Sequence, residues 1–364
     1  MRNASRRCAT SRCRCCQSCS VLRQQNTRSA ADVWDLHGSS SSWAVGRVEC
    51  PDALLPLTAF ATAAAMRWAR MNATPPSFQP HRHCLNLSCG SAQGQVAAVT
   101  ALLHQHGAYI GEFSVFDDPS SARSFMRCVF HLGAASAPDV ERLRLAFDAL
   151  AAGFPAASCR LYDLARPTRV LVMVSKFDHC LRELIAAWRR DELTMDIVAI
   201  VSNHTDLAPL AAAEGVCFHH LPIDADSKPA QEAELLRLIE HHEVELVVLA
   251  RYMQVLSADL SRRLAGRVIN IHHSFLPGFK GARPYQQAHE RGVKLIGATA
   301  HFATADLDEG PIIEQALERV DHADSPQQLL QVGRHVERLV LSRALRFVLE
   351  RRVFINGLRT VVLK

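Results

Sequence analysis

Apolar runs alternate with amphipathic stretches from Val170 almost to the end of the chain. Val170–Ser175, Met195–Ser202, Cys217–Leu221, Val244–Ala250, Val268–His272 and Leu295–Phe302 are largely apolar and predict strands covered on both faces. Leu181–Arg189, Leu207–Glu214, Ala230–His242 and Ser257–Leu264 carry apolar residues at helical spacing. Strands and helices in strict alternation predict an α/β domain over 168–364 with a doubly wound, mostly parallel sheet. Pro326–Arg351 reads as a long helix, and Arg352–Leu363 as a hairpin turning at Asn356-Gly357. Residues 83–163 have a different rhythm. Leu85–Cys89, Tyr109–Asp117, Phe125–Leu132 and Ala157–Tyr162 read as strands. Gln95–His106, with Val96, Val99, Leu102 and Leu103 on one face, and Val140–Ala152 read as helices. The predicted order is βαββαβ, bounded downstream by Arg166-Pro167-Thr168.

Residues 1–80 follow neither pattern. The first thirty are rich in Arg, Cys and Ser and hold no acid, and Ser39-Ser40-Ser41-Ser42 and an Ala-rich stretch follow. This composition predicts a segment of low order. It reads either as a transit-type leader or as an upstream extension of a protein starting at Met66 or Met71. The net charge of +5 is concentrated there, because residues 1–80 hold ten arginines against four acids. The remaining 31 basic and 32 acidic residues nearly balance, which gives no electrostatic case for nucleic acid. No apolar run is long enough for a membrane span, and a soluble cytoplasmic protein is expected. Of twelve cysteines, Cys8, Cys13, Cys15, Cys16, Cys19 and Cys50 lie early and the rest are dispersed, as buried thiols in a reducing compartment are. Cys13-x-Cys15-Cys16-x2-Cys19 lacks a second paired cluster. The pairs His219-His220, His241-His242 and His81-x-His83 have no ligand spacing, so no metal is expected.

Val268-Ile269-Asn270-Ile271-His272-His273-Ser274-Phe275-Leu276-Pro277 carries the chemistry. Side chains alternate along a strand, so Asn270 and His272 share a face at its carboxyl end, while His273 is expected on the other. An amide can hydrogen-bond a carbonyl oxygen, and an imidazole moves protons near neutral pH. A second strand then ends in the acidic loop Thr304-Ala305-Asp306-Leu307-Asp308-Glu309-Gly310. Asn270, His272 and Asp308 on adjacent strand ends would make an acyl-transfer site.

These two segments, with Asp308-Glu309-Gly310-Pro311-Ile312-Ile313, resemble the formyltetrahydrofolate-dependent formyltransferase and hydrolase family. The resemblance covers about residues 83–364. It implies a Rossmann-like formyltransferase domain with 10-formyltetrahydrofolate as substrate and no bound cofactor. It implies that Asn270 donates to the formyl oxygen, His272 protonates the leaving nitrogen and Asp308 orients the imidazole. Either His272 or Asp308 would take the proton of an attacking water. It places the folate against backbone of Arg251, Tyr252, Met253, Gln254, Val255 and Leu256, and against the loop of Thr304, Ala305, Asp306, Leu307 and Asp308. The side chains of Met253, Val255 and Leu256 are expected to be core.

Formyltransferases of this family that act on a nucleotide amine hold its phosphate in a Gly-rich loop after the first strand. Here that position reads Val174-Ser175-Lys176-Phe177-Asp178-His179-Cys180, with no glycine and with an aspartate that would repel a phosphate. The Ser-Lys-x-x-His-Cys run resembles the hydrolase branch, which implies water as acceptor and formate released for purine synthesis. A formyltransferase with an amine acceptor and an amino-acid sensor with a degenerate catalytic half stay open. Segment 83–163, with its Gly107-Ala108-Tyr109-Ile110 turn, resembles an ACT domain, a ferredoxin-like module. That implies a homo-oligomer and methionine or glycine as effectors. The family's Cys-Pro-Asp-x-x-Gly entry is here Cys89-Gly90-Ser91-Ala92-Gln93-Gly94, so only weak amino-acid control is expected.

Overall fold

A computed structural model describes residues 82–133, 137–224, 227–276 and 284–364. The readings of residues 1–80, of His81 and of Pro277 lie outside the described residues.

The first sheet is built from β1 (Arg82–Gly90), β2 (Tyr109–Asp118), β3 (Arg123–His131) and β4 (Ser158–Asp163), ordered β2-β3-β1-β4 and antiparallel throughout. Helices α1 (Gln95–Gln105) and α2 (Ala137–Ala152) cover one face. Leu85, Leu87, Met126, Cys128 and Phe130 point at Val99, Leu103, Leu143 and Phe147 in one apolar cluster. The βαββαβ order agrees with the sequence reading.

The second sheet has seven strands: β5 (Thr168–Val174), β6 (Met195–Ser202), β7 (Phe218–His220), β8 (Leu246–Leu249), β9 (Val268–His272), β10 (Leu295–Phe302) and β11 (Ile312–Arg319). Their order is β11-β10-β9-β8-β5-β6-β7. Strands β5 to β9 are parallel, whereas β10 runs against both β9 and β11. The chain order reverses between β5 and β8, the kind of point at which open α/β sheets bind ligands. One face packs on α3 (His179–Arg189) and on α8 (Pro326–Leu349), through Ile269, Ile271, Leu181, Leu184, Val336, Val340 and Leu341. The other packs on α5 (Lys228–His241) and α6 (Ala258–Arg263), through Leu171, Met173, Val247, Leu249, Leu235 and Leu260. Two elements escaped the sequence reading, β11 and the short α7 (Pro284–Glu290). Strand β11 is Ile-Ile-Glu-Gln-Ala-Leu-Glu-Arg at a sheet edge, half exposed and therefore polar.

The C-terminal hairpin β12 (Val353–Asn356) and β13 (Arg359–Val362) docks onto the first sheet. Phe125 meets Phe354 edge-on at 5.6 Å. Arg127 donates to the Glu350 carbonyl, and the Asn86 amide to that of Arg351. Asn356 and Arg359 both reach Asp118. A catalytic half cut free at residue 165 would therefore expose Phe354 and Leu363, both buried here. No helix among the described residues is long and apolar enough to cross a membrane. Cys84, Cys89, Cys128 and Cys180 are buried free thiols, as expected, while Cys217 is exposed.

Candidate active site

Alternation along β9 settles which side chains meet. Ile269 and Ile271 enter the core toward α8, so Asn270 and His272 face the opposite side. The His272 Nδ1 lies 3.1 Å from Asp308 Oδ2. The Asn270 amide nitrogen lies 3.4 Å from Asp308 Oδ1 and 3.2 Å from His301 Nε2. The three residues named from sequence thus converge.

The route by which Asp308 arrives differs from the expected one. Because β10 is antiparallel to β9, with His301 opposite Asn270, Asp308 is not at a neighbouring carboxyl end. It sits on the loop between β10 and β11, which doubles back and is pinned by Ala303 N–H to Val268 O and Phe302 N–H to Pro311 O. Asp308 holds a left-handed φ of 58°, a conformation that non-glycine residues adopt only when their surroundings enforce it. Gly310 makes the loop possible, because a Cβ there would overlap the Phe302 carbonyl oxygen. Gly310→Ala is therefore expected to displace Asp308 by a fraction of an ångström or more and to lower turnover by about 100-fold. Steady-state kinetics alongside thermal denaturation check this; unchanged turnover would show that the loop adapts.

Electrostatics fix the protonation pattern. Burial alone would raise the Asp308 carboxyl, but hydrogen bonds and charge from His272 and His301 hold it well below the usual carboxylate range. As an anion it accepts from the His272 Nδ1–H, which leaves Nε2 as the free end of that ring. The His272 Nε2 is buried, has no hydrogen-bond partner among the described residues, and its ring lines the cavity wall. His301 Nδ1 lies 3.0 Å from the Phe302 carbonyl oxygen, and its Nε2 lies 3.2 Å from the Asn270 amide nitrogen and 3.6 Å from Asp308 Oδ1. His301 falls inside the strand Leu295–Phe302 that the sequence predicts, with no role assigned to it there. Its inward register beside Thr299 in β10 was the signal that could have found it.

His273 is not turned away. The strand ends at His272, the chain bends, and the two rings stack at 4.9 Å between centroids. His273 Nδ1 lies 2.6 Å from Arg251 Nη1. Burial first, then the Arg251 and His272 charges, push its imidazole down to about 4. It is therefore neutral at pH 7. Arg251, itself at a left-handed φ of 66°, lies 3.4 Å from Glu337 of α8. The Glu337 carboxylate is 1% exposed and also meets His179 Nε2 at 2.7 Å and accepts from the Tyr285 hydroxyl at 2.7 Å. Burial would raise this carboxyl, but His179, Arg251 and Tyr285 together keep it lowered. Glu337 was missed from sequence, though it lies among Val336, Val340 and Leu341 on the buried face of α8. A charge at such a position must be paired.

The cavity beside this cluster is lined by Arg251, Tyr252, Met253, Gln254, Val255, Leu256, Asn270, His272, His273, His301, Thr304, Asp306, Leu307 and Asp308. Of the residues named for folate, only Ala305 is absent from the wall. Met253 and Val255 are each 52% exposed and Leu307 is 59% exposed, so Met253 and Val255 form an apolar rim and not core. Leu256 does pack against core, and Tyr252 is buried with its hydroxyl accepting from Gln231. The Met253 backbone N–H is not free for a ligand here, since it donates to Ser175 Oγ. Ser175 in turn donates to Asn203. The turn after β5 is thus closed by side chains, and Asp178 is paired with Arg182.

The mostly parallel sheet carries Asn270 and His272 at the end of β9 and Asp308 on the β10–β11 loop, and the formyl transferase family model matches residues 168–345. The match extends well beyond that domain. A formyltetrahydrofolate deformylase of Corynebacterium sp. is 49% identical over 284 residues, 78% of this chain and 98% of that protein. The crystal structure of formyltetrahydrofolate deformylase from Burkholderia mallei has a TM-score of 0.75 at 59% identity, covering 78% of this chain and all of that one. Glycinamide ribonucleotide transformylase 1 from Symbiobacterium toebii covers 56% of this chain and 98% of its own, at TM-score 0.53 and 31% identity. The chain belongs to the formyltetrahydrofolate deformylase family.

Proposed function

We propose that this protein hydrolyses 10-formyltetrahydrofolate to formate and tetrahydrofolate. The observation that carries the reading is the His272 ring, held on Asp308 through Nδ1 with its free Nε2 at a cavity beside a turn that offers no phosphate cradle. In this reading a water in the cavity gives a proton to the His272 Nε2 as its oxygen bonds to the formyl carbon. The carbonyl oxygen becomes an anion. Asn270 exchanges its longer contact, the 3.4 Å one to Asp308, for a hydrogen bond to that oxygen. The imidazolium, stabilised by Asp308, then protonates the folate nitrogen. The C–N bond breaks, tetrahydrofolate leaves, and the formic acid formed gives its remaining proton to solvent and departs as formate. The exposed Met253, Val255 and Leu307 would flank the flat pterin, and backbone of 251–256 and 304–307 would meet its polar edge.

The nearest rival is transfer of the formyl group to an amine. Purified protein is incubated with 10-formyltetrahydrofolate alone, and formate is measured. Stoichiometric formate without any amine supports hydrolysis, and glycinamide ribonucleotide should not divert it. No formate without an amine, and a formylated amine with tetrahydrofolate in place of formate when one is added, would establish the rival.

The proposal extends to the domain plan. Residues 83–163 would be an ACT-type domain that assembles a homo-oligomer, 168–364 the formyltransferase-type catalytic domain, and 1–80 a leader or upstream extension. The protein would be cytoplasmic, and its formate would feed purine synthesis. Amino-acid control by methionine or glycine would be weak. The loop that would hold an effector is occupied by its own contacts: Gln95 donates to Gly90 O, and Ser91 donates to Asp117.

A further inference from the structure

We propose that Cys217, His219 and His242 form a site for a zinc-class divalent ion on the edge of the seven-stranded sheet, with solvent in the fourth position. The site lies outside the reaction centre and does not depend on the deformylase reading.

Strand β7 supplies His219, and Cys217 directly precedes the strand. Alternation sends Phe218 into the core on the face that α3 and α8 cover, so Cys217 and His219 share the face turned toward α5. His242 is the C-cap of α5 and completes the group. The ligand atoms lie within 4.8 Å of one another. Cys217 Sγ is 3.3 Å from His219 Nε2, and His219 Nε2 is 3.4 Å from His242 Nε2. Tetrahedral zinc has Zn–S near 2.3 Å and Zn–N near 2.0–2.1 Å, so the edges of its ligand shell are about 3.3–3.6 Å. The two spacings of 3.3 and 3.4 Å lie close to those edges.

Hydrogen bonding alone serves the cluster poorly. A neutral imidazole nitrogen has either one N–H or one lone pair. His219 Nε2 therefore cannot satisfy both the thiol and His242 Nε2. A cation binding the thiolate and both imidazole lone pairs satisfies all three at once. The neighbouring charges are mixed: Arg169 donates to the His242 carbonyl, and Asp196 lies 3.8 Å from Arg169. Thiolate and imidazole ligands select zinc or cobalt over magnesium or calcium. Cys217 and His242 stand far apart in sequence, so no spacing motif announced the group.

Bound there, the ion would tie the edge strand to the end of α5. Four strand spacings, about 19 Å, separate β7 from β9, so turnover should not depend on it.

The test uses the untagged full chain, reduced, stripped with a chelator and titrated with Co(II). One equivalent should bind with thiolate-to-cobalt charge-transfer absorption and the strong visible bands of four-coordinate cobalt, and Zn(II) should displace it. Cys217→Ser should abolish the charge-transfer band. His219→Gln and His242→Gln should abolish the saturable step, while His220→Gln on the opposite face should leave it intact. Equal thermal midpoints in chelator would establish that the variants fold, and Zn(II) should raise the midpoints of the wild type and His220→Gln alone. A wild type without the step, or a step that survives Cys217→Ser, as binding by the early cysteines would, overturns the proposal. Either failure leaves the acceptor-free formate result untouched.

Discussion

His272→Ala and Asp308→Asn each lower kcat by about 10³-fold and leave folate affinity within about threefold of wild type. The two changes act at opposite ends of one unit. Removing the imidazole deletes a buried nitrogen at the cavity wall that has no hydrogen-bond partner among the described residues. Removing the Asp308 charge keeps a side chain of the same shape, but the imidazolium that forms during attack loses its anion 3.1 Å away. The Asp308 anion also receives Asn270, so its loss loosens the amide that must meet the oxyanion. The His272–Asp308 interaction strengthens as the imidazolium forms, so kcat and kcat/KM should fall together. The pterin is held by other parts of the wall, so binding is spared. Because the pair acts as a unit, the double variant should be scarcely worse than either single one. Steady-state kinetics with a folate titration of each variant check this. Turnover within threefold of wild type in either would refute the assignment.

Much of this arrangement was legible in the chain, for physical reasons. Strands β9 and β10 are apolar runs bounded by polar loops, and both were predicted with the observed limits. Alternation then placed Asn270 and His272 together without further knowledge. What alternation cannot supply is direction and depth. Nothing in Leu295–Phe302 says that β10 runs against β9, because a buried antiparallel strand has the same composition as a parallel one. The path of Asp308 followed from that direction, and so was misplaced. His273 was misread because the period of two ends where the strand ends, one residue earlier. Met253 and Val255 look like core in sequence, yet they lie after β8 in a loop whose apolar atoms line a cavity. The metal cluster and Glu337 depend on contacts between distant segments, which no local pattern encodes.

Glu337 is where such a contact should matter most for stability. Glu337→Ala is expected to destabilise the fold by about 3–5 kcal/mol, because it strands the charge of Arg251 and the polar atoms of His179 and Tyr285 in a dry site. For a unit of this size that is a fall in Tm of roughly 6–10 °C. Glu337→Gln keeps the shape and one acceptor for Tyr285, so it should lose less. Gly333 sets the fit, since a Cβ there would overlap the Tyr285 ring. The pH dependence gives a second reading. The Glu337 carboxyl is lowered from 4.5, so its stabilisation is present above about pH 4.5 and is lost as pH falls through its lower folded value. His273 is lowered from 6.5 to about 4, so the unfolded chain binds its proton first, and wild-type stability declines as pH falls across that window. The two effects separate by variant. Glu337→Gln should cost most at pH 7.5, and its deficit should narrow only below about pH 4.5, while the decline from pH 6.5 persists in both proteins. Thermal denaturation of wild type and Glu337→Gln from pH 4 to 7.5 measures both. A Glu337→Gln protein within 1 °C of wild type at pH 7.5, against an expected loss of about 2 °C or more, would mean that Arg251 draws its stability from elsewhere. Turnover reports separately on the chain from Glu337 through Arg251 to His273 and the stacked His272 ring: a drop in kcat with unchanged KM would place Glu337 behind the catalytic imidazole as a positioning residue.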